Sequence, residues 1–267
     1  MVSKRLLAKA TLAVAIAAIS VSAYASHSWS TYHWARNSGS FTLQTLDSTV
    51  STGANSNWPV LLSAAASQWS VSTKMDLTVT PYSNTATARK RCTAVSGKIR
   101  VCNASYGNNG WLGLAAINLD SNGHISPGTA KMNDSYASSW TSDANEAKHV
   151  MCQEVGHTFG LGHTSENGTT QNTCMDYSSS PTSTAPNQHD YDQLALIYGH
   201  TDSYNSYSTS AAMPVGPGNS SMAGDVPLGT LVRKGHFSDT YVAPDGKGGL
   251  WITHVTLAPG FEHMDVQ

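Results

Sequence analysis

Charge is scarce in this chain. Only 12% of its 267 residues are Asp, Glu, Lys or Arg, which is about half the usual share in globular domains. The 15 basic and 17 acidic residues nearly cancel and leave a formal net charge of −2. Without a basic excess there is no electrostatic basis for binding nucleic acid or an anionic membrane surface, so we expect neither as a partner. Hydroxyl and amide side chains are abundant instead, which is typical of an exported protein.

Long apolar runs are also missing. No stretch after the N-terminus approaches the roughly 20 apolar residues that a membrane-spanning helix needs. The N-terminus itself carries Lys4, Arg5 and Lys9, then a short apolar run and the small-x-small sequence A-Y-A. This order predicts a secretory signal peptide over residues 1–25, cleaved after Ala25. We therefore expect a secreted, extracellular protein that keeps no membrane attachment after cleavage.

Cysteine is limited to four residues, and none of them has the C-x-x-C spacing of a redox or thiolate-zinc site. An even number of cysteines in an exported chain predicts two disulfides. Three pairings are possible, and proximity in the sequence favours Cys92–Cys102 and Cys152–Cys174.

The apolar patterns predict an α+β fold, because strands and helices mix without a regular βαβ alternation. Alternating residues predict strands over 41–46, 75–79, 111–120 and 124–132, with a hairpin over 87–106. Helical spacing predicts helices over 58–69, 144–159 and 190–198. We expect one domain over residues 26–200. The Ser-, Gly- and Pro-rich residues 201–267 are expected to form an extension of irregular structure or short strands packed on it.

The second predicted helix carries the residues of a hydrolytic metal site. Gln153 and His157 are spaced i and i+4 and share one helix face, with Glu154 beside them. Gly160 permits a left-handed exit that can bring His163 back toward His157. Such a group can hold a tetrahedral Zn2+ with one position left for water, and Glu154 is placed to take a proton from that water.

The segment 153–163, Q-E-V-G-H-T-F-G-L-G-H, resembles the metzincin metalloprotease motif H-E-x-x-H-x-x-G-x-x-H in every fixed position but the first. Metzincins also have a methionine turn downstream, and N-T-C-M-D-Y places Met175 twelve residues after His163. The resemblance covers residues 41–198. It implies a mixed twisted sheet with an active-site helix, a methionine turn and a C-terminal helix. It also implies a zinc-dependent endopeptidase acting on proteins or peptides, and we expect the protein to be a monomer.

The same resemblance implies a role for each matching residue. His157 and His163 would be zinc ligands, Glu154 the general base, and Gly160 and Met175 structural supports.

Two further roles follow from the resemblance. Tyr177 matches a tyrosine that some members hold near the metal, and it would either help to stabilise the oxyanion or serve as a fifth metal ligand. A strand ahead of the motif helix pairs with the substrate backbone in the family. Its candidate residues here are Gly113, Leu114 and Ala115.

Gln153 departs from the motif and leaves two interpretations open. Its neutral amide oxygen either serves as the first zinc ligand, or zinc binds too weakly and the chain is an inactive, metzincin-like binding protein. His149 is a poor replacement, because it lies eight residues from His157, about 12 Å along the helix axis. The remaining histidines show no ligand spacing, and we expect them at the surface: His27, His33, His124, His200, His236, His254 and His263.

Overall fold

The fold is known from a computed structural model that describes residues 27–178, 180, 182–207 and 228–263. The signal peptide predicted for residues 1–25 lies outside these residues. The described chain combines a large mixed sheet with a few helices, which confirms the α+β class.

The helices are α1 (Trp58–Trp69), α2 (Ala86–Arg91), α3 (Ala137–Ser142), α4 (Ala144–His157) and α5 (Gln188–Ile197), and a short 3-10 turn spans Asp134–Tyr136. The strands are β1 (His33–Trp34), β2 (Phe41–Ser48), β3 (Met75–Pro81), β4 (Ile99–Ala104), β5 (Trp111–Leu119), β6 (His124–Asn133), β7 (Thr230–Lys234), β8 (Ser238–Pro244) and β9 (Leu250–Leu257).

One nine-stranded sheet organises the described chain. Its order is β3-β2-β4-β6-β5-β9-β8-β7, and β1 pairs with β6 outside that path. The strands β2, β3, β4 and β6 run parallel, whereas β5 is antiparallel to both of its neighbours, β6 and β9. The C-terminal strands β7, β8 and β9 therefore continue the sheet of the N-terminal part, and β5 is an interior strand.

The hairpin predicted over 87–106 is wrong in its first arm. The structure has the helix α2 there, started by Thr85, whose hydroxyl accepts a hydrogen bond from the Ala88 amide. A run of Ala, Arg and Lys has a high helix propensity, and this local preference prevails over strand pairing. Only the turn at Gly97, with φ of 73°, and the second arm β4 agree with the prediction.

Both disulfides expected from the sequence are present. Cys92 bonds Cys102 and links the end of α2 to β4. Cys152 bonds Cys174 and links α4 to the segment that contains Met175.

The helix α4 lies on the sheet, against α1, β5 and β6. It begins after Asp143, whose carboxylate accepts a hydrogen bond from the Asn145 amide at 2.7 Å. Its second half, from His149 to His157, is buried throughout. A Cβ atom at Gly156 would stand 2.6 Å from the sulfur of Met175, so the missing side chain lets the methionine lie directly against the helix.

Within the described residues, no helix has the length and apolar character needed to cross a bilayer.

Candidate metal centre

The motif helix ends as the sequence predicts. Gly160 has a φ of 98°, the left-handed region, and a Cβ atom there would stand 2.2 Å from the carbonyl oxygen of Tyr32. Any side chain would therefore clash with the neighbouring backbone in addition to straining φ. The turn that glycine permits places the ring of His163 4.6 Å from the ring of His157, centroid to centroid.

A third histidine, His254 of β9, completes a cluster. Its ring centroid is 4.2 Å from that of His157 and 4.5 Å from that of His163. One ligand nitrogen from each ring lies within 4.8 Å of the others. Three convergent imidazoles make a group that could bind a metal ion.

Hydrogen bonds fix the orientation of two of these rings. The Nδ1 atom of His157 is 2.8 Å from the carbonyl oxygen of Leu161. The Nδ1 atom of His163 is 2.9 Å from Glu166 Oε1, and Arg233 of β7 donates to both oxygens of that carboxylate. Such partners set the ring tautomer and leave the other nitrogen free for a ligand bond.

Several buried polar atoms of the centre have no protein partner among the residues that the structure describes. They are Nε2 of His157, Nε2 of His163, Nδ1 of His254 and Oε2 of Glu154. Buried polar atoms are nearly always hydrogen-bonded in native structures. Each of the three neighbouring imidazoles thus has a nitrogen that a metal ion could satisfy, so the residues present fit such an ion.

Burial governs the ionisation of the centre. It lowers the pKa of His157 to about 4 and the pKa values of His163 and His254 well below their ordinary value. Neighbouring histidines add to this lowering of the pKa at His163 and His254. All three rings are therefore neutral near pH 7, which is the form that binds metals. Burial also raises the pKa of Glu154 to about 8, against the opposing effect of a hydrogen bond from Thr256.

Gln153 is held by protein groups. Its Nε2 donates to the carbonyl oxygens of Cys174 and Asp176, both at 3.1 Å. Its Oε1 lies 3.2 Å from the hydroxyl of Thr256. The Gln153 side chain thus anchors α4 to the methionine-bearing segment. His149, four residues earlier, lies 2.6 Å from the carbonyl oxygen of Ser183 through Nδ1.

Tyr177 lies beside two of the histidines, and Glu154 is held by Thr256, a residue of the strand that carries His254. The hydroxyl of Thr256 donates to Glu154 Oε1 at 2.6 Å. The Tyr177 ring is 4.2 Å from that of His163, and its hydroxyl is 3.0 Å from His254 Nε2. Burial raises the pKa of Tyr177 well above 10, so its hydroxyl keeps its proton.

The predicted substrate strand is paired on both sides. Gly113, Leu114 and Ala115 face Met132, Lys131 and Ala130 of β6 and Thr256, Val255 and His254 of β9. While β9 stays in place, no backbone groups of this stretch are available to an extended peptide.

The expectation that the unassigned histidines lie at the surface is wrong for three of them. His27, His33 and His254 are 4%, 7% and 0% exposed. Sequence reasoning missed His254 because it stands 91 positions after His163, far outside any motif spacing. Within its own segment, the one indication that His254 is buried is that it lies in a mostly apolar strand.

Two cavities flank the histidine cluster. One, of about 370 Å³, is lined by Tyr177, Phe237 and Thr256 among others. The other, of about 440 Å³, is lined by Trp29, His163 and Arg233 among others. The Trp29 ring also stacks on His157, with centroids 4.9 Å apart and planes 6° apart. His157 and His254 are buried, whereas His163 is only half-buried and borders the second cavity.

Comparisons of the sequence with models of known protein families and with curated proteins found no match.

Proposed function

We propose that this chain is a secreted, zinc-dependent peptidase of metzincin type in which His254 replaces the missing first histidine of the motif. The observation that carries the proposal is the convergence of His157, His163 and His254, each with one nitrogen lacking a partner. The two disulfides agree with an oxidising, extracellular environment.

Zinc suits the donor set, because three neutral imidazoles and one open position are typical of catalytic zinc sites. In this proposal Gln153 is a support for α4 rather than a ligand, since its amide nitrogen already satisfies two backbone carbonyls. An imidazole is also a better zinc donor than a neutral amide oxygen.

A zinc ion bound there would supply Lewis acidity and lower the pKa of a water molecule. The nearby cation would favour the ionised form of Glu154, whose Oε2 has no protein partner among the described residues. This oxygen could then accept the proton of the attacking water and return it to the leaving amine. Thr256 holds the other carboxylate oxygen and fixes the direction of this transfer. The Tyr177 hydroxyl, protonated at neutral pH, would donate to the developing oxyanion.

The pairing of β5 favours a second candidate function, a metal-binding protein without hydrolytic activity. With β6 and β9 on either side, β5 cannot align an extended substrate in the way the resemblance implies. Peptidase activity would then depend on substrates that enter through the cavities beside Trp29 and Tyr177.

The test measures bound zinc and hydrolysis for matched variants. We expect wild type to retain zinc and to cleave casein or a mixture of short peptides. Glu154→Gln should retain zinc and lose hydrolysis by about 100-fold or more, because general base catalysis contributes at least that factor. His254→Ala should lose zinc, whereas Gln153→Ala should lose stability more than zinc. His263→Ala, which removes a histidine outside the cluster, serves as the control.

Zinc retained by wild type without hydrolysis of any peptide would favour the non-catalytic function. Zinc retained by His254→Ala but lost by Gln153→Ala would show that the glutamine is the ligand and would contradict the proposed centre.

A further inference from the structure

A second group of histidines lies outside the proposed catalytic centre. His33 belongs to β1 and His124 begins β6, and the two are partners in the parallel pairing of these strands. His200 and Asp202 follow α5. Three segments that are distant in sequence therefore meet at one carboxylate.

The distances suit ligands of a common metal ion. The Nε2 atoms of His33, His124 and His200 lie 3.4, 3.5 and 3.6 Å from oxygens of Asp202. The Nε2 atoms of His33 and His200 are 3.1 Å apart. Ligands about 2.0–2.1 Å from a tetrahedral zinc ion are about 3.4 Å from one another. Most of these separations are too long for good hydrogen bonds and match the edges of such a tetrahedron.

The tautomer of His33 follows from its second nitrogen. The Nδ1 atom is 2.6 Å from the carbonyl oxygen of Thr31, which can only accept a hydrogen bond. The proton of a neutral His33 ring is therefore on Nδ1. Its Nε2 then presents a lone pair to the Nε2 of His200 and to the carboxylate of Asp202.

His124 is in the same situation. Its Nδ1 is 2.7 Å from the hydroxyl of Tyr204, and that hydroxyl donates its own proton to Asp120. The hydroxyl oxygen must accept from His124, so the neutral ring again carries its proton on Nδ1. A second Nε2 lone pair then faces Asp202.

Two imidazole lone pairs directed at a carboxylate repel it unless a cation lies between them. A backbone group also fixes the position of this carboxylate, because Asp202 Oδ2 accepts a hydrogen bond from the Arg36 amide at 2.9 Å. We propose that His33, His200 and Asp202 bind a divalent transition-metal ion such as Zn2+. This ion would join β1 to the segment after α5, and so has a structural role.

The surroundings allow the ion to enter and then shield it. The His200 side chain is 55% exposed, whereas those of His33, His124 and Asp202 are 9%, 16% and 10% exposed. A single exposed ligand on an otherwise buried set can swing aside and close over the ion.

The experiment uses the full chain, stripped with a chelator, dialysed against Zn2+ and assayed for metal by mass spectrometry. We expect about two equivalents in wild type, because each set of ligands binds one ion. His200→Ala should lose one equivalent, and His163→Ala should lose the other. His200→Asp, which keeps a ligand at the same position, should retain two, and His236→Ala is the control.

Thermal unfolding supplies a second readout. Zn2+ should raise the Tm of His163→Ala, whose remaining site is the proposed one, and should not raise the Tm of the His163→Ala, His200→Ala double variant. The same zinc content and the same Tm shift with and without His200 would overturn the proposal. A wild type that binds only one equivalent of zinc and has a pH-dependent Tm would also overturn the proposal. Asp202 would then bind protonated imidazoles instead of sharing a metal ion with them. If only the proposed catalytic centre fails to bind zinc, wild type and His163→Ala should hold the same amount of zinc. His200→Ala should still lose one equivalent relative to wild type.

Discussion

At the scale of single residues, Glu154 occupies its position because Gly113 has no side chain. A Cβ atom at Gly113 would stand 2.3 Å from Glu154 Oε1 and 2.7 Å from a methyl carbon of Val150. The carboxylate therefore lies directly against β5, away from water, where the Thr256 hydroxyl donates a hydrogen bond to it. This environment explains why burial raises its pKa to about 8.

The raised pKa predicts how Glu154→Gln changes the stability of the metal-free chain. A carboxyl whose folded pKa exceeds its unfolded value stabilises the fold below the unfolded pKa, and that contribution is lost as pH rises through the folded pKa. Wild type should therefore lose stability between pH 4.5 and about 8. Metal-free Glu154→Gln should not, and it should be more stable by about 3 kcal/mol at pH 7.

Urea unfolding of both metal-free proteins at pH 5, 7 and 9 measures this difference. Zn2+ should reduce it, because a nearby cation favours the ionised carboxylate. A difference that does not vary with pH would show that Glu154 is ionised throughout the range.

At the scale of elements, the relation between α4 and the segment carrying Met175 decides the geometry of the site. The disulfide Cys152–Cys174 joins them covalently. The amide of Gln153 joins them by hydrogen bonds to Cys174 and Asp176. Met175 itself lies against Gly156 and also binds the Thr164 amide through its carbonyl oxygen at 2.8 Å. The substitution of glutamine for histidine in the motif thus gives α4 an additional link to this segment.

Removal of the two disulfides should have different effects on metal binding. Replacing Cys152 and Cys174 together by alanine should lower the free energy of unfolding by about 3 kcal/mol, from the freedom gained by the unfolded chain. It should also weaken zinc binding, because the helix that carries His157 is then less firmly positioned. Replacing Cys92 and Cys102 should lower stability by a similar amount and leave zinc affinity unchanged. Guanidinium unfolding and zinc titration of both variants check this. Equal zinc affinities would contradict the positioning role.

At the scale of the whole molecule, the C-terminal strands belong to the functional unit. β9 pairs along the length of β5 and supplies His254, and Thr256 on the same strand holds Glu154. From β7, Arg233 holds the carboxylate that orients His163. The candidate metal centre is therefore assembled from the middle of the described chain and from its C-terminal strands.

A chain ending at residue 227 should lose zinc from the centre to the extent that His254→Ala does, because both lack the third imidazole. It should also be less soluble, because β5 would expose an unpaired edge. Zinc content, light scattering and casein hydrolysis, measured beside the full-length His254→Ala variant, check this. A shortened chain that keeps zinc and cleaves casein faster than the full chain would show that β9 blocks the substrate strand instead of completing the centre.

The sequence by itself determined what depends on short-range chemistry. The cap at Asp143, the left-handed Gly160 and the spacing of Glu154 and His157 lie within about one helix and its turn, where local conformation is set by neighbouring residues. Both disulfides also join cysteines that are close in sequence. The helix α2 was missed because a cysteine pair and a glycine turn suggested a hairpin, while the helix propensity of its residues was the stronger preference.

Only the tertiary structure decided which histidines meet. His254 reaches His157 because the register of β9 on β5 sets it opposite Ala115. His33 meets Asp202 because β1 joins the sheet beside the segment that follows α5. Strand register depends on the burial of whole faces and on pairing between distant segments, and no local spacing encodes it.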